Sequence, residues 1–246
     1  MDLAAATASP GLLAVRDRLL VCLAFASGIY EAVCFISFGK VFTAFQTGNI
    51  VFLGLGIAGV RPPDGPDQVR VLISLAAFAI GAMVAVRILK AFDGDEELED
   101  DEVFQVWPRR VSAALGVALV AQVAFLALWV AFPLSSDVEN ILVALSAFAL
   151  GMQMNAIRSL HVPGISTTAA TATFITLATG AATWSHKAPA ARRLTGVVVA
   201  LILGAFVGTW LLKHAHPYAA VLPVIVIGIV IVIAAVSLKE DHAQRR

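Results

Sequence analysis

Charge is what this sequence has least of. Only 14% of its 246 residues are Asp, Glu, Lys or Arg, and eight of the 17 carboxylates are crowded into one run, Asp93 to Glu102. With 59% hydrophobic residues and a mean hydropathy of +0.88, a soluble fold has nowhere to hide so much apolar surface. Cysteine is nearly absent as well. Cys22 and Cys34 are 12 residues apart in one predicted helix, about 18 Å at 1.5 Å per residue, which is too far for a disulfide. No CxxC, Cys/His or HExxH spacing occurs, so neither a redox pair nor a metal site is indicated, and no cofactor is implied. A Ser/His/Asp set and a GxSxG string are missing too, leaving no nucleophile beside a base; the expectation is that the chain is not an enzyme and has no catalytic residue. Basic helices interleaved with aromatics are lacking, which excludes nucleic acid as a partner. The acidic run has no glycine where a calcium loop needs one, and it reads as a solvated tether.

What is present is a series of eight apolar stretches: Leu19 to Phe38, Phe42 to Val60, Val69 to Leu89, Val111 to Phe132, Val138 to Ile157, Ile165 to Trp184, Leu194 to Leu212 and Tyr218 to Leu238. Each is close to the roughly 20 residues that cross about 30 Å of hydrocarbon as a helix. The fold class is therefore all-α, a polytopic helical membrane protein whose first partner is the lipid bilayer. Residues 1–18 have no signal-peptide pattern and read as a cytoplasmic tail, as do residues 239–246.

The two halves match weakly but in order. Gly28 and Gly81-Ala82 correspond to Gly151 and Gly204-Ala205 at an offset of 123, and Thr43, Thr47, Asn49, Leu53 and Gly56 to Thr167, Thr171, Thr173, Leu177 and Gly180 at 124. Residues 19–132, with the acidic loop 93–102, and residues 138–238 are thus expected to be two internal repeats.

Charge placement separates two topologies. If all eight segments cross with the N-terminus inside, 10 Lys and Arg fall inside and 7 outside; if the second and sixth enter and leave on one side, the division is 13 to 4. The positive-inside rule favours six spans plus two re-entrant or broken segments over eight full spans. Three crossings per repeat would invert the second repeat, an architecture used by transporters.

Polar residues at membrane depth mark the candidate site. Glu31 is the only carboxylate deep in any span, and Ser27, Glu31 and Cys34 share its helix face, with Gly28 allowing a close neighbour. It is expected to be a neutral or proton-exchanging acid, or else a helix-helix hydrogen bond or partner of Arg158. The matching helix offers Gln153, Asn155 and Arg158; Arg158 either attracts an anion or snorkels to the interface. The second segment contributes Thr47, Gly48 and Asn49, with Gly48-Asn49 as a candidate helix break, and the sixth contributes Thr168, Thr171 and Thr173. Broken helix ends expose N–H and C=O groups that bind small ions or polar solutes; alternatively the hydroxyls bond to their own helices and the small faces only pack.

These residues also carry a resemblance. Gly28-Ile29-Tyr30-Glu31-Ala32, Gly39-Lys40-Val41-Phe42 and Thr47-Gly48-Asn49-Ile50-Val51, followed in the second half by Gly151-Met152-Gln153, Arg158, Val162-Pro163-Gly164, Ser166-Thr167-Thr168 and Thr171-Ala172-Thr173, resemble the YoaK-like bacterial membrane proteins, domain of unknown function 1275. The sequence departs from that pattern at Glu31, where Asp is usual, and at Ala172, which replaces a Gly. The resemblance implies a multi-pass protein of the bacterial inner membrane with about six spans, and no reaction. The sequence-based expectation is a secondary transporter or channel for a small polar solute or ion, its site between the two Thr/Gly-rich segments near midplane. The competing reading is a non-transporting scaffold or interaction subunit. Whether the protein forms a homo-oligomer is left open.

Overall fold

Ser9 sets where the first helix starts. Its hydroxyl accepts the Leu12 N–H and Pro10 occupies the first turn, so helix α1 runs Pro10–Ser37, nine residues earlier than the apolar stretch alone suggests. The polar residues 16–18 are therefore helical. At the other end Gly39 (φ 75°) and Lys40 (φ 63°) turn left-handed, and the Lys40 N–H bonds the Phe35 carbonyl, a Schellman stop that reverses the chain.

In the computed structural model, which describes residues 9–60, 65–91, 106–162, 170–183 and 188–238, the remaining helices are α2 (Gln46–Ile57), α3 (Gln68–Ala91), α4 (Arg109–Ala131), α5 (Ser136–Arg158), α6 (Ala170–Thr183), α7 (Ala188–His214) and α8 (Val221–Ser237), the last preceded by a short 3-10 turn at His216–Tyr218. No strand occurs among the described residues. The acidic run and Thr168 lie outside them. Six helices, α1, α3, α4, α5, α7 and α8 with its leading turn, are long and apolar enough to cross a membrane. Helix α2, with 12 residues, reaches only about 18 Å and cannot cross a hydrocarbon layer of about 30 Å, while the described part of α6 is 14 residues, about 21 Å.

Helices α1 and α5 are the most buried of the six, and they run antiparallel. Ser27 on α1 meets Gln153 on α5, while Cys34, farther along α1, meets Ser146, earlier on α5. An antiparallel pair requires an odd number of crossings from α1 up to α5. The span-length helices α1, α3 and α4 supply three, and a full crossing by α2 would make four. Tertiary contact thus agrees with the charge count in leaving α2 as a partial penetration.

Two parallel helix pairs flank this centre, α1 with α7 and α3 with α5, and glycines bring their backbones together. A Cβ on Gly28 would collide with the Leu201 carbonyl and crowd the Ala205 N–H, and one on Gly204 would collide with the Phe25 carbonyl. In the other pair a Cβ on Gly151 would strike the Phe78 carbonyl and crowd Ala82, and one on Gly81 would strike the Phe148 carbonyl. Every residue of one set lies 123 positions from its counterpart in the other. Helix α2 packs on α3 and α6 on α7. Outward-facing Val120, Ile202, Phe206, Val232 and Val236 are exposed apolar side chains, the surface a lipid environment covers.

Candidate functional site

The reversal at Gly39-Lys40 returns the chain alongside α1, so that the residues just ahead of α2 face Glu31. Helix α2 has no side-chain cap of its own at Phe45. Glu31, on another helix, binds the segment that leads into α2: its carboxylate accepts the N–H groups of Thr43 (3.2 Å), Ala44 (2.8 Å) and Phe45 (3.3 Å) and the Thr43 hydroxyl (3.1 Å). Free N–H groups and the positive end of a helix favour an anion at this place. The side chain is only 5% exposed, so water contributes little to its solvation and the protein donors replace it.

A file of hydroxyls leads away from this carboxylate. Cys34 Sγ donates to Ser146 Oγ (3.4 Å), Ser146 Oγ to Thr43 Oγ1 (3.2 Å), and Thr43 Oγ1 to Glu31 Oε2. It joins α1, α5 and the segment before α2 through buried groups alone. On the other side of Thr43, Asn49 braces the same segment. Its Oδ1 accepts the Phe42 N–H (3.1 Å) and its Nδ2 donates to the Phe42 carbonyl (2.6 Å) and to Gln46 Oε1 (2.8 Å). Ser74 on α3 donates to that carbonyl (2.6 Å), and the Gln46 amide donates to Thr43 O (2.9 Å) and Ser74 Oγ (3.1 Å).

Several expected site residues are elsewhere. Gly48-Asn49 does not break α2, which runs unbroken from Gln46; the break lies at 38–45, and Gly48 is there to pass the Phe42 ring, which a Cβ would approach to 2.7 Å. Thr47 is exposed, because one helical step from Gln46 turns it away from the cluster. Arg158 is exposed at the C-terminal end of α5, where a cation suits the helix dipole; it is nine residues, about 13 Å, from the level of Glu31 and does not pair with it. Gln153 is buried and donates to Ser27 Oγ (2.8 Å), and Asn155 donates to the Ala82 carbonyl (2.9 Å), so both tie helices together. Thr173 is fully buried in α6, while the Thr171 side chain falls outside the described set. Among the described residues α2 and α6 make at most marginal contact, so the two Thr-rich segments do not form one wall there.

Sequence reading passed over Ser74 and Ser146 as site residues. The available signal was a single serine surrounded by apolar residues in each span. Among the described residues no group of three His, Cys, Asp or Glu side chains is arranged to hold a metal ion.

A helical bundle with six span-length helices, one half-length helix seated on a buried carboxylate and an apolar exterior defines a multi-pass membrane protein. The comparisons agree. The family described as "Protein of unknown function (DUF1275)" matches residues 19–234, and the chain belongs to that family. It is 35% identical over 164 residues to the "UPF0700 transmembrane protein YoaK" of Bacillus subtilis (strain 168), a match covering 67% of this chain and 66% of that protein, so it spans slightly less than two thirds of the relative's length. No solved structure matches.

Proposed function

We propose that this protein is a secondary transporter or channel for a small polar solute or ion in the bacterial inner membrane, with both termini cytoplasmic. The observation that carries the reading is the seat of α2: a half-length helix starting inside the bundle, with the N–H groups of the three residues just ahead of it, 43–45, directed at the buried Glu31 carboxylate. Interrupted helices of this kind are how transporters present backbone groups to a solute at depth. In this reading Glu31 and the N–H groups of residues 43–45 form the binding locus, Thr43 and Asn49 shape it, and Glu31 exchanges a proton as the solute takes its donors. The sixth segment, with Thr168, Thr171 and Thr173, supplies the corresponding element of the second half, the halves being an inverted repeat.

Reconstitution into liposomes enclosing a pH-sensitive dye, challenged with a panel of small polar solutes and ions, tests this. Solute-dependent proton movement is expected for the native protein and is expected to vanish in Glu31→Gln. Solute flux with the same pH dependence in both would reject the proton role.

One observation favours the scaffold reading: the Asn49 amide and the Glu31 carboxylate are both saturated by protein partners. Thr43→Cys in a background lacking Cys22 and Cys34 discriminates. Reaction with a membrane-impermeant thiol reagent indicates a hydrated path, and inertness a dry lock.

A further inference from the structure

At the ends of the two parallel pairs stand two ion-pair clusters. Arg193 on α7 reaches Asp17 on α1, Nη1 to Oδ2 at 3.4 Å, and Asp17 also holds Arg16 at 3.3 Å. Arg70 on α3 reaches three residues of the first turns of α5: Glu139 at 2.5 Å, Asn140 Oδ1 at 3.2 Å and Ser136 Oγ at 3.5 Å. Arg70 and Arg193 are 123 residues apart, as are Asp17 and Asn140. This is the offset that relates the glycine contacts of the same helix pairs. Because α1 and α5 are antiparallel, the N-terminal ends of the α1/α7 and α3/α5 pairs lie at opposite ends of the bundle. All four principal side chains are partly shielded, at 12–22% exposure, where an ion pair is screened less than on an open surface.

We infer that the Arg70–Glu139 and Arg193–Asp17 clamps are the two alternating closures of the bundle, one at each membrane face, pivoting on the glycine contacts of their helix pairs. The inference deepens the transporter reading by supplying its gates. Flush glycine contacts act as fulcrums, since backbones in contact can rock while their ends separate. A charge-assisted clamp at each end then sets which end is apart. The chemistry at the two ends is alike but unequal: Arg70 faces a carboxylate, an amide and a hydroxyl, whereas Arg193 faces a carboxylate already shared with Arg16. The Arg193 end is therefore the one that yields first.

Buried thiols read the gates without any solute. Cys34 is bonded to Ser146, seven residues along α5 from Glu139, about 10 Å inward of the Arg70 clamp. Its counterpart 123 residues on is Ile157, 3% exposed, toward the other face. Two single-cysteine proteins are needed, one keeping Cys34 with Cys22→Ser, the other Ile157→Cys with both native cysteines replaced by serine. Each is treated in sealed vesicles with an impermeant methanethiosulfonate from one face at a time. Arg70→Gln is expected to speed Cys34 labelling from its own face by roughly tenfold, the population change that loss of one charge-assisted bond brings, and to slow Ile157→Cys from the opposite face. Arg193→Gln is expected to do the converse, and Arg70→Glu combined with Glu139→Arg to return labelling to the native rate. Unchanged rates, or acceleration of both reporters together, or failure of the exchanged pair to restore the rate, would overturn the inference. Gated labelling without solute flux in liposomes would instead retire the transport reading and leave the clamps standing.

Discussion

Asn49 holds Phe42 by both ends of its backbone, accepting its N–H at 3.1 Å and donating to its carbonyl at 2.6 Å. A residue four positions ahead of a half-length helix is thereby fixed by a side chain one turn inside that helix, and the segment between them is bent over the Glu31 carboxylate. Backbone polar groups at this depth have no water to fall back on, which is why an amide, able to donate and accept at once, stands at position 49.

Asn49→Ala removes that grip and leaves the Phe42 N–H buried without an acceptor, while Ser74 still serves the carbonyl. A loss of about 1–3 kcal/mol is expected, visible as a lower unfolding temperature of the protein in detergent. Asn49→Asp keeps the acceptor but brings a second buried carboxylate close to Glu31, and is expected to be worse than Asn49→Ala.

Replacement of Glu31 by Gln swaps an acceptor-only group for one with an NH2 that confronts three N–H donors. Destabilisation of roughly 1–3 kcal/mol is expected from the lost charge-assisted bonds, and Glu31→Asp should recover part of it. Thermal unfolding of the three proteins side by side gives the ranking, and equal stability of Glu31→Gln and the native protein would remove Glu31 as the anchor of residues 43–45.

Glycine substitutions separate contact positions from open ones. Gly28→Ala and Gly81→Ala drive a methyl group into a neighbouring carbonyl and are expected to cost about 1–3 kcal/mol each. Gly116→Ala has open space and should change stability by less than about 1 kcal/mol. Yield and monodispersity on size exclusion should follow the same order.

Reporter fusions within residues 61–68 and 93–102 read topology directly. The antiparallel relation of α1 and α5 requires an outside position for the first and an inside one for the second, given an N-terminus inside. The reverse assignment would mean that α2 crosses the membrane.

Much of the fold was legible beforehand because the signals are local or additive. Long apolar stretches foretell spans whatever they pack against, and the Lys and Arg count separated α2 from the full crossings. Gly28 and Glu31 were legible as well, since a small residue and a buried acid in an apolar helix admit few explanations. Thr47 was misread because composition gives no helix phase: Gln46 and Asn49, three residues apart, face Ser74, which leaves Thr47 on the outer side. Whether Arg158 could pair with Glu31 was open in the sequence, because the register between antiparallel helices is set by contacts such as Ser27 with Gln153, not by anything along either helix alone.

The sequence by itself determined that the chain lives in a membrane, that charge placement favours six crossings among eight apolar segments, and that Gly28 admits a close neighbour, because hydrophobicity, charge and side-chain size are properties of residues. Only the tertiary structure decided what Glu31 does. A carboxylate in an apolar helix must find donors, but which donors depends on where the chain returns, and here the left-handed turn at Gly39-Lys40 brings back the three free N–H groups of residues 43–45.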